Sequence, residues 1–74
     1  MTANVPVKNL VREYRKKREI TQEELAAAMG VSRQTIISIE GGRYIPSLPL
    51  ALKMARFFQC ATDELFNLKE EEKS

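Results

Sequence analysis

Arg33, Gln34, Ile37 and Ser38 fall within six consecutive positions. Wound into a helix at about 100° per residue, they share the side opposite Ile36 and Ile39. Such a face suits the edges of nucleic-acid bases: glutamine pairs with adenine, arginine with guanine, and an apolar group meets a thymine methyl. Ile37 is the member that folding explains least, because an exposed β-branched residue beside polar neighbours has no packing purpose. The competing reading half-buries it against Gly41-Gly42. Thr35 and Glu40 border the apolar side.

Little else in the chain could do chemistry. It has no His, and Cys60 is its single cysteine. No ordinary zinc site, internal disulfide or histidine-based acid–base pair can be built from that inventory, and no cofactor is expected. Ser32 and Thr62 have no general base nearby and read as helix caps. Gly41-Gly42-Arg43 lacks the spacing and the lysine of a phosphate-binding loop. No catalytic residue is therefore assigned, and an enzyme is not expected. Cys60 reads either as a small buried hydrophobe or as a redox sensor at a subunit seam.

The 74 residues carry a net charge of only +2, but its distribution is uneven. Up to Thr62 there are ten Lys and Arg against five Glu, whereas from Asp63 onward two Lys face five Asp and Glu. A basic body is what a polyanion-binding surface requires, the alternative being a solvated helix face. No apolar run is long enough to cross a membrane, and the first residues lack a signal-peptide pattern. The lone cysteine suits a reducing cytoplasm, and a basic body suits association with the nucleoid. One domain is expected over residues 1–68, followed by an acidic tail over 69–74 with no apolar anchor, which is expected to fray.

The elements that must position these residues are all helical, and no strand pattern competes. A first helix is expected over about Val7–Arg18, where Val7, Leu10, Val11 and Tyr14 recur at helical spacing after Pro6. Thr21 and Glu24 form a capping box that opens a second helix, with Ile20 and Leu25 as its staple, and Gly30 ends it. Ser32 caps a third helix that stops at Gly41-Gly42, with Val31 and Ile36 as its staple. Ser47 caps a fourth running to about Gln59, with Pro49 in its first turn. A short fifth helix is expected from the cap Thr62 to about Phe66. Only Gly30-Val31 separates the second helix from the cap of the third, so the two must cross steeply. Gly30 then takes the left-handed conformation, and the small Ala26 permits close approach.

This spacing, with Thr21-Gln22-Glu23-Glu24-Leu25-Ala26, Gly30-Val31-Ser32-Arg33-Gln34-Thr35-Ile36, Ile39-Glu40-Gly41-Gly42-Arg43-Tyr44 and Pro46-Ser47-Leu48, closely resembles the Cro/C1-type (XRE, phage-repressor-like) helix-turn-helix regulators. The compact stand-alone members are the best match, and the likeness runs from about Leu10 to Phe66. It departs from the family at Gly41, where Asn is frequent, and at Pro49, where a polar residue is usual. The resemblance implies an all-α, five-helix, lambda-repressor-like fold, a homodimer, and recognition of a palindromic operator in double-stranded DNA, with repression the usual outcome. No membrane partner and no small-molecule effector are implied.

By the same resemblance Gln22 approaches the DNA backbone and a terminal base. Arg33, Arg43 and Tyr44 are further phosphate candidates, and Ser32, Arg33, Gln34, Ile37 and Ser38 complete the DNA-binding set. Lys16, Lys17 and Arg18 read equally as phosphate contacts or as a solvated helix end. Arg15 pairs in the family with the acid that ends the reading helix, here Glu40, in a structural salt bridge. On the fourth helix, Leu48, Ala51, Leu52, Ala55 and Phe58 form an apolar stripe for the core. Leu50, Met54 and Phe57 extend it, and together with Phe66 and Leu68 they are the dimer-interface candidates. Burial of those residues beneath the fifth helix is the alternative. The same fold serves antitoxins and restriction–modification controllers. A protein-interaction module that does not bind DNA is the reading from a different class.

Overall fold

The protein is represented by a computed structural model that describes residues 7–68. The order is β1 (Val7–Asn9), α1 (Val11–Lys17), α2 (Gln22–Met29), α3 (Arg33–Glu40), α4 (Leu48–Phe58), α5 (Thr62–Leu65) and β2 (Phe66–Leu68). The acidic tail expected over 69–74 lies outside the described residues.

Caps set the helix starts. Thr21 Oγ1 accepts the Glu24 amide at 3.0 Å, and the Glu24 carboxylate accepts the Thr21 amide at 2.8 Å, completing the capping box of α2. Ser32 Oγ accepts the Thr35 amide at 3.1 Å to open α3, and Ser47 Oγ accepts the Leu50 amide at 3.3 Å to open α4. The stops are equally local. Gly30 takes φ 74°, and the Val31 amide turns back to the Ala26 carbonyl at 3.0 Å. Gly42, at φ 77°, does the same after α3, where the Arg43 amide reaches the Ser38 carbonyl at 2.9 Å. After α1 and α4 the left-handed residue is Glu19 (φ 58°) or Gln59 (φ 57°), which carry a Cβ and pay a steric penalty there.

The core is wholly apolar and drawn from every helix. Val11, Leu25, Ile36, Ile39, Met54 and Leu65 are fully enclosed, and Ala26, Met29, Ala55 and Phe58 complete the cluster. The nearly buried Ala26, at 4 % exposure, lets α2 and α3 pack against each other across their short turn.

Three expectations need correction. First, Val7 does not begin a helix. Val7–Asn9 pairs antiparallel with Phe66–Leu68, in the register Val7 with Leu68 and Asn9 with Phe66, so a two-stranded sheet joins the ends of the described chain. Asn9 makes the break: its Oδ1 accepts the Val11 amide at 3.1 Å, and its Nδ2 donates to the Ile39 carbonyl at 2.9 Å. Second, α5 starts one residue early and ends one early. Ala61 is its cap position, with its amide held by the Glu64 carboxylate at 2.9 Å, and Phe66 leaves for β2.

Third, α4 is turned differently about its axis. Met54, expected at an interface, is 0 % exposed, whereas Leu48 and Leu52, expected in the core, are 66 % and 49 % exposed. The apolar arc of α4 is wider than the face it can bury, and Met54, Ala55 and Phe58 take the side that faces the core, with Arg18 lying on one shoulder. Its guanidinium lies 5.2 Å from the Phe57 ring centroid and 5.6 Å from that of Phe58, and it donates to the Phe57 carbonyl at 2.8 Å. Phe57 is half-buried on that shoulder, whereas Leu48 and Leu52 on the other are bare.

Candidate nucleic-acid interface

α3 stands between two clefts. One is lined by Ser32, Gln34, Thr35, Ser38 and Tyr44, and the other by Arg12, Arg15, Gln22, Ile37, Glu40 and Gly41. Every DNA-contact residue expected from sequence except Arg33 and Arg43 therefore lines one of these clefts, and those two are exposed. Arg33 and Gln34 are exposed without a side-chain hydrogen bond among the described residues. Ser38 and Ile37 are half-buried. Ile37 lies beside Gly41 and still opens onto the second cleft.

Ser32 is used twice, as the α3 cap and in a 3.0 Å contact with the Thr35 hydroxyl. The base of α3 is fixed by charge. Arg15 Nε donates to Glu40 Oε2 at 2.7 Å and Nη2 to Oε1 at 3.2 Å, while Nη1 holds the Ile20 carbonyl at 2.9 Å. The pair is largely enclosed, with side-chain exposures of 12 % and 6 %. Gln22 joins it, its Nε2 donating to Glu40 Oε1 at 3.1 Å.

Other cations have internal work. Arg18 covers the Phe57 shoulder, and Lys53 Nζ donates to the Met29 carbonyl at the end of α2, 3.2 Å away. Lys16 and Lys17 are exposed. Two cleft residues escaped the sequence reading. Arg12 sits one turn before Arg15 on α1, a spacing that puts both toward α3. Thr35 was placed at the core border, although its hydroxyl can line a polar cleft as readily.

Of the interface candidates, Leu50, Phe57 and Phe66 are half-buried. A separate apolar groove runs between the sheet and the start of α4, lined chiefly by Val7, Ile45, Pro46, Leu48, Ala51 and Phe66. Ile45 is 60 % exposed there. Cys60 is half-buried and packs beside the core near Tyr14. Burial pushes the Cys60 thiol up, with Glu64 adding to the rise, against the opposing effects of Tyr14 and Arg18. Burial likewise raises Tyr14, with Cys60 and Glu64 reinforcing it. A thiol shifted this way is held protonated and is a poor nucleophile. No helix among the described residues is long and apolar enough to cross a membrane.

A family model described as helix-turn-helix matches residues 11–65. An HTH-type transcriptional regulator of Methanocaldococcus jannaschii is 48 % identical over 66 residues, 89 % of this chain and 100 % of its own length. The CTXphi transcriptional repressor RstR of Vibrio cholerae is 33 % identical over 60 residues, 81 % of this chain and 54 % of its own. Among solved structures, the restriction-modification controller protein C.AhdI of Aeromonas hydrophila aligns with a TM-score of 0.66 at 31 % identity, covering 73 % of this chain and 78 % of that one.

Proposed function

The chain belongs to the Cro/C1-type (XRE) helix-turn-helix family of DNA-binding transcriptional regulators, and we propose that it is a repressor that binds a palindromic operator as a homodimer through α3. The observation that carries this reading is the state of the α3 surface. Its inner residues Ile36 and Ile39 are fully buried, while Arg33 and Gln34 project with no internal hydrogen-bond partner among the described residues. Polar donors left unpaired on a rigid helix are the chemistry that base edges require. Ile37 offers a thymine methyl an apolar partner, and Ser32, Thr35, Ser38 and Tyr44 line one wall for sugar–phosphate contact. Arg12, Arg33 and Arg43 supply the positive charge around the helix.

In this reading the second copy packs on the Leu48–Leu52 shoulder and the adjoining Ile45–Phe66 groove, and its support is that these apolar residues are exposed in the single chain. A two-fold pair sets the two reading helices about one DNA turn apart, roughly 34 Å. Likeness to C.AhdI favours a second reading, in which the same binding controls a restriction–modification system; a neighbouring methylase gene would distinguish it. Selection of bound duplexes from a random pool tests the main proposal. The expected product is a palindrome with half-sites about one turn apart. Enrichment of a single unrepeated site, or of none, refutes it.

A further inference from the structure

The Gln22 carboxamide is not left to choose its own orientation. Glu40 is 6 % exposed, and a carboxylate accepts hydrogen bonds without donating them. Gln22 Nε2 lies 3.1 Å from Glu40 Oε1, so the amide nitrogen must face the acid; the flipped amide would oppose two oxygens. Glu40 is itself held on both oxygens by Arg15, at 2.7 and 3.2 Å. Arg15 is anchored in turn on the Ile20 carbonyl, in the turn just ahead of α2. Three helices thus converge to fix one carboxamide at the edge of the cleft that Arg12 and Ile37 also line. With one N–H engaged by Glu40, Gln22 keeps one N–H and its carbonyl oxygen. That donor–acceptor pair complements adenine N7 and N6.

We propose that Glu40, held by Arg15, is a positioning residue for Gln22, fixing the carboxamide so that its open edge reads an adenine at the end of each half-site. The inference rests on the DNA-binding reading above. In this view the buried ion pair does more than hold α3 in place: it selects which of two amide orientations meets the DNA.

The test uses the full chain and two duplexes, the selected operator and the same operator with its outermost adenines replaced. The readout is the ratio of the two affinities. For the unaltered protein the operator is preferred by about tenfold or more, the range of one good bidentate contact. Gln22→Ala is expected to reduce that ratio to within about twofold of unity. Glu40→Gln, whose amide accepts or donates and so permits both orientations of Gln22, is expected to erode the ratio similarly. Combined with Gln22→Ala it should have no further effect on the ratio. Glu40→Asp, which keeps a carboxylate for Arg15 but withdraws it from Gln22, repeats the measurement should Glu40→Gln not fold.

A Glu40 variant that weakens both duplexes equally while leaving the ratio intact overturns the proposal, because a merely loosened α3 behaves that way. Equal loss on both duplexes for Gln22→Ala also overturns it, leaving Gln22 a phosphate contact and the DNA reading standing. Absence of any salt-dependent duplex binding by the unaltered protein removes the underlying reading itself.

Discussion

Arg15→Ala is the perturbation whose cost follows most directly from the structure. It removes three hydrogen bonds, two to Glu40 and one to the Ile20 carbonyl, and leaves a 6 % exposed carboxylate with only the Gln22 amide. Breaking a buried pair from one side costs about 3–5 kcal/mol, because a charge is left without compensation. Arg15 borders an open cleft, so the lower figure, about 3 kcal/mol, applies. A domain of this size holds only about 4–11 kcal/mol in total. At about 4–8 °C per kcal/mol, the midpoint should fall by about 12–24 °C.

Thermal melts followed by circular dichroism measure this, at one fixed protein concentration because the proposed self-association would contribute to the midpoint. A control separates charge from packing. Arg15→Met combined with Glu40→Leu removes both charges and should recover most of the loss, since an apolar replacement of a buried pair is often neutral. A fall of less than about 4 °C for Arg15→Ala would refute the reasoning, because that is the scale of a solvent-screened surface pair. A double variant melting as low as the single one would assign the loss to the packing of the arginine stem.

The remaining predictions are briefer. Gln59→Gly should raise stability by about 0.5–1 kcal/mol, since it relieves a left-handed residue at φ 57°, and Gly30→Ala should lower it by about 1 kcal/mol; urea titration reads both. Leu52→Asp should weaken self-association by about tenfold or more in sedimentation equilibrium without unfolding the chain. Met54→Ala should instead cost about 2–5 kcal/mol of stability, as a cavity in the core does. Operator affinity should fall with salt at a slope of about −5 if Arg12, Arg33 and Arg43 of two protomers each neutralise one phosphate, and at about half that for a monomer. Cys60 should react with iodoacetamide more slowly than in the urea-unfolded chain near pH 8. Its raised pKa keeps the thiolate scarce until the pH climbs above the ordinary thiol range, and equal rates would contradict the burial argument.

The sequence disclosed most where the chemistry is local. Thr21 with Glu24, Ser32 and Ser47 announce helix starts because a side-chain oxygen two or three residues before an amide is a short-range fact, and Gly30 announces a stop for the same reason. What escaped depends on distant partners. Val7 sits three residues before Leu10 and so mimics helical spacing, yet its backbone is claimed by Leu68, which nothing near it in the chain foretells. Three-residue strands are too short to display alternation. Similarly, α4 is apolar around most of its circumference, so its own pattern leaves its rotation open. The choice is set by distant core partners such as Val11, Leu25 and Leu65, which enclose Met54 and Phe58, while Arg18, thirty-nine residues from Phe57 in the chain, caps one shoulder. The buried side of α3 was legible from Ile36 and Ile39, whereas the place of Arg12 in a cleft beside α3 was not, because it depends on where α1 lies against α3.

The partition of positive charge explains why a modest net charge still suits DNA. Arg15, Arg18 and Lys53 are engaged in holding α3, the Phe57 shoulder and the end of α2, so they contribute to the fold. Arg12, Arg33 and Arg43 have no such engagement among the described residues and lie on or beside α3. Three phosphate contacts per chain give a slope of about −2.7, whereas two copies on one duplex would double both the contacts and the slope. In the proposed pair the bare Leu48–Leu52 shoulder would supply the apolar contact, on a face distinct from the clefts beside α3. Loop residues Tyr44 and Ile45, adjacent in sequence, face these two surfaces in turn, one lining the Ser38 cleft and the other the apolar groove. The modest charge of one chain and its bare apolar face are both accounted for by the proposed pairing of two copies.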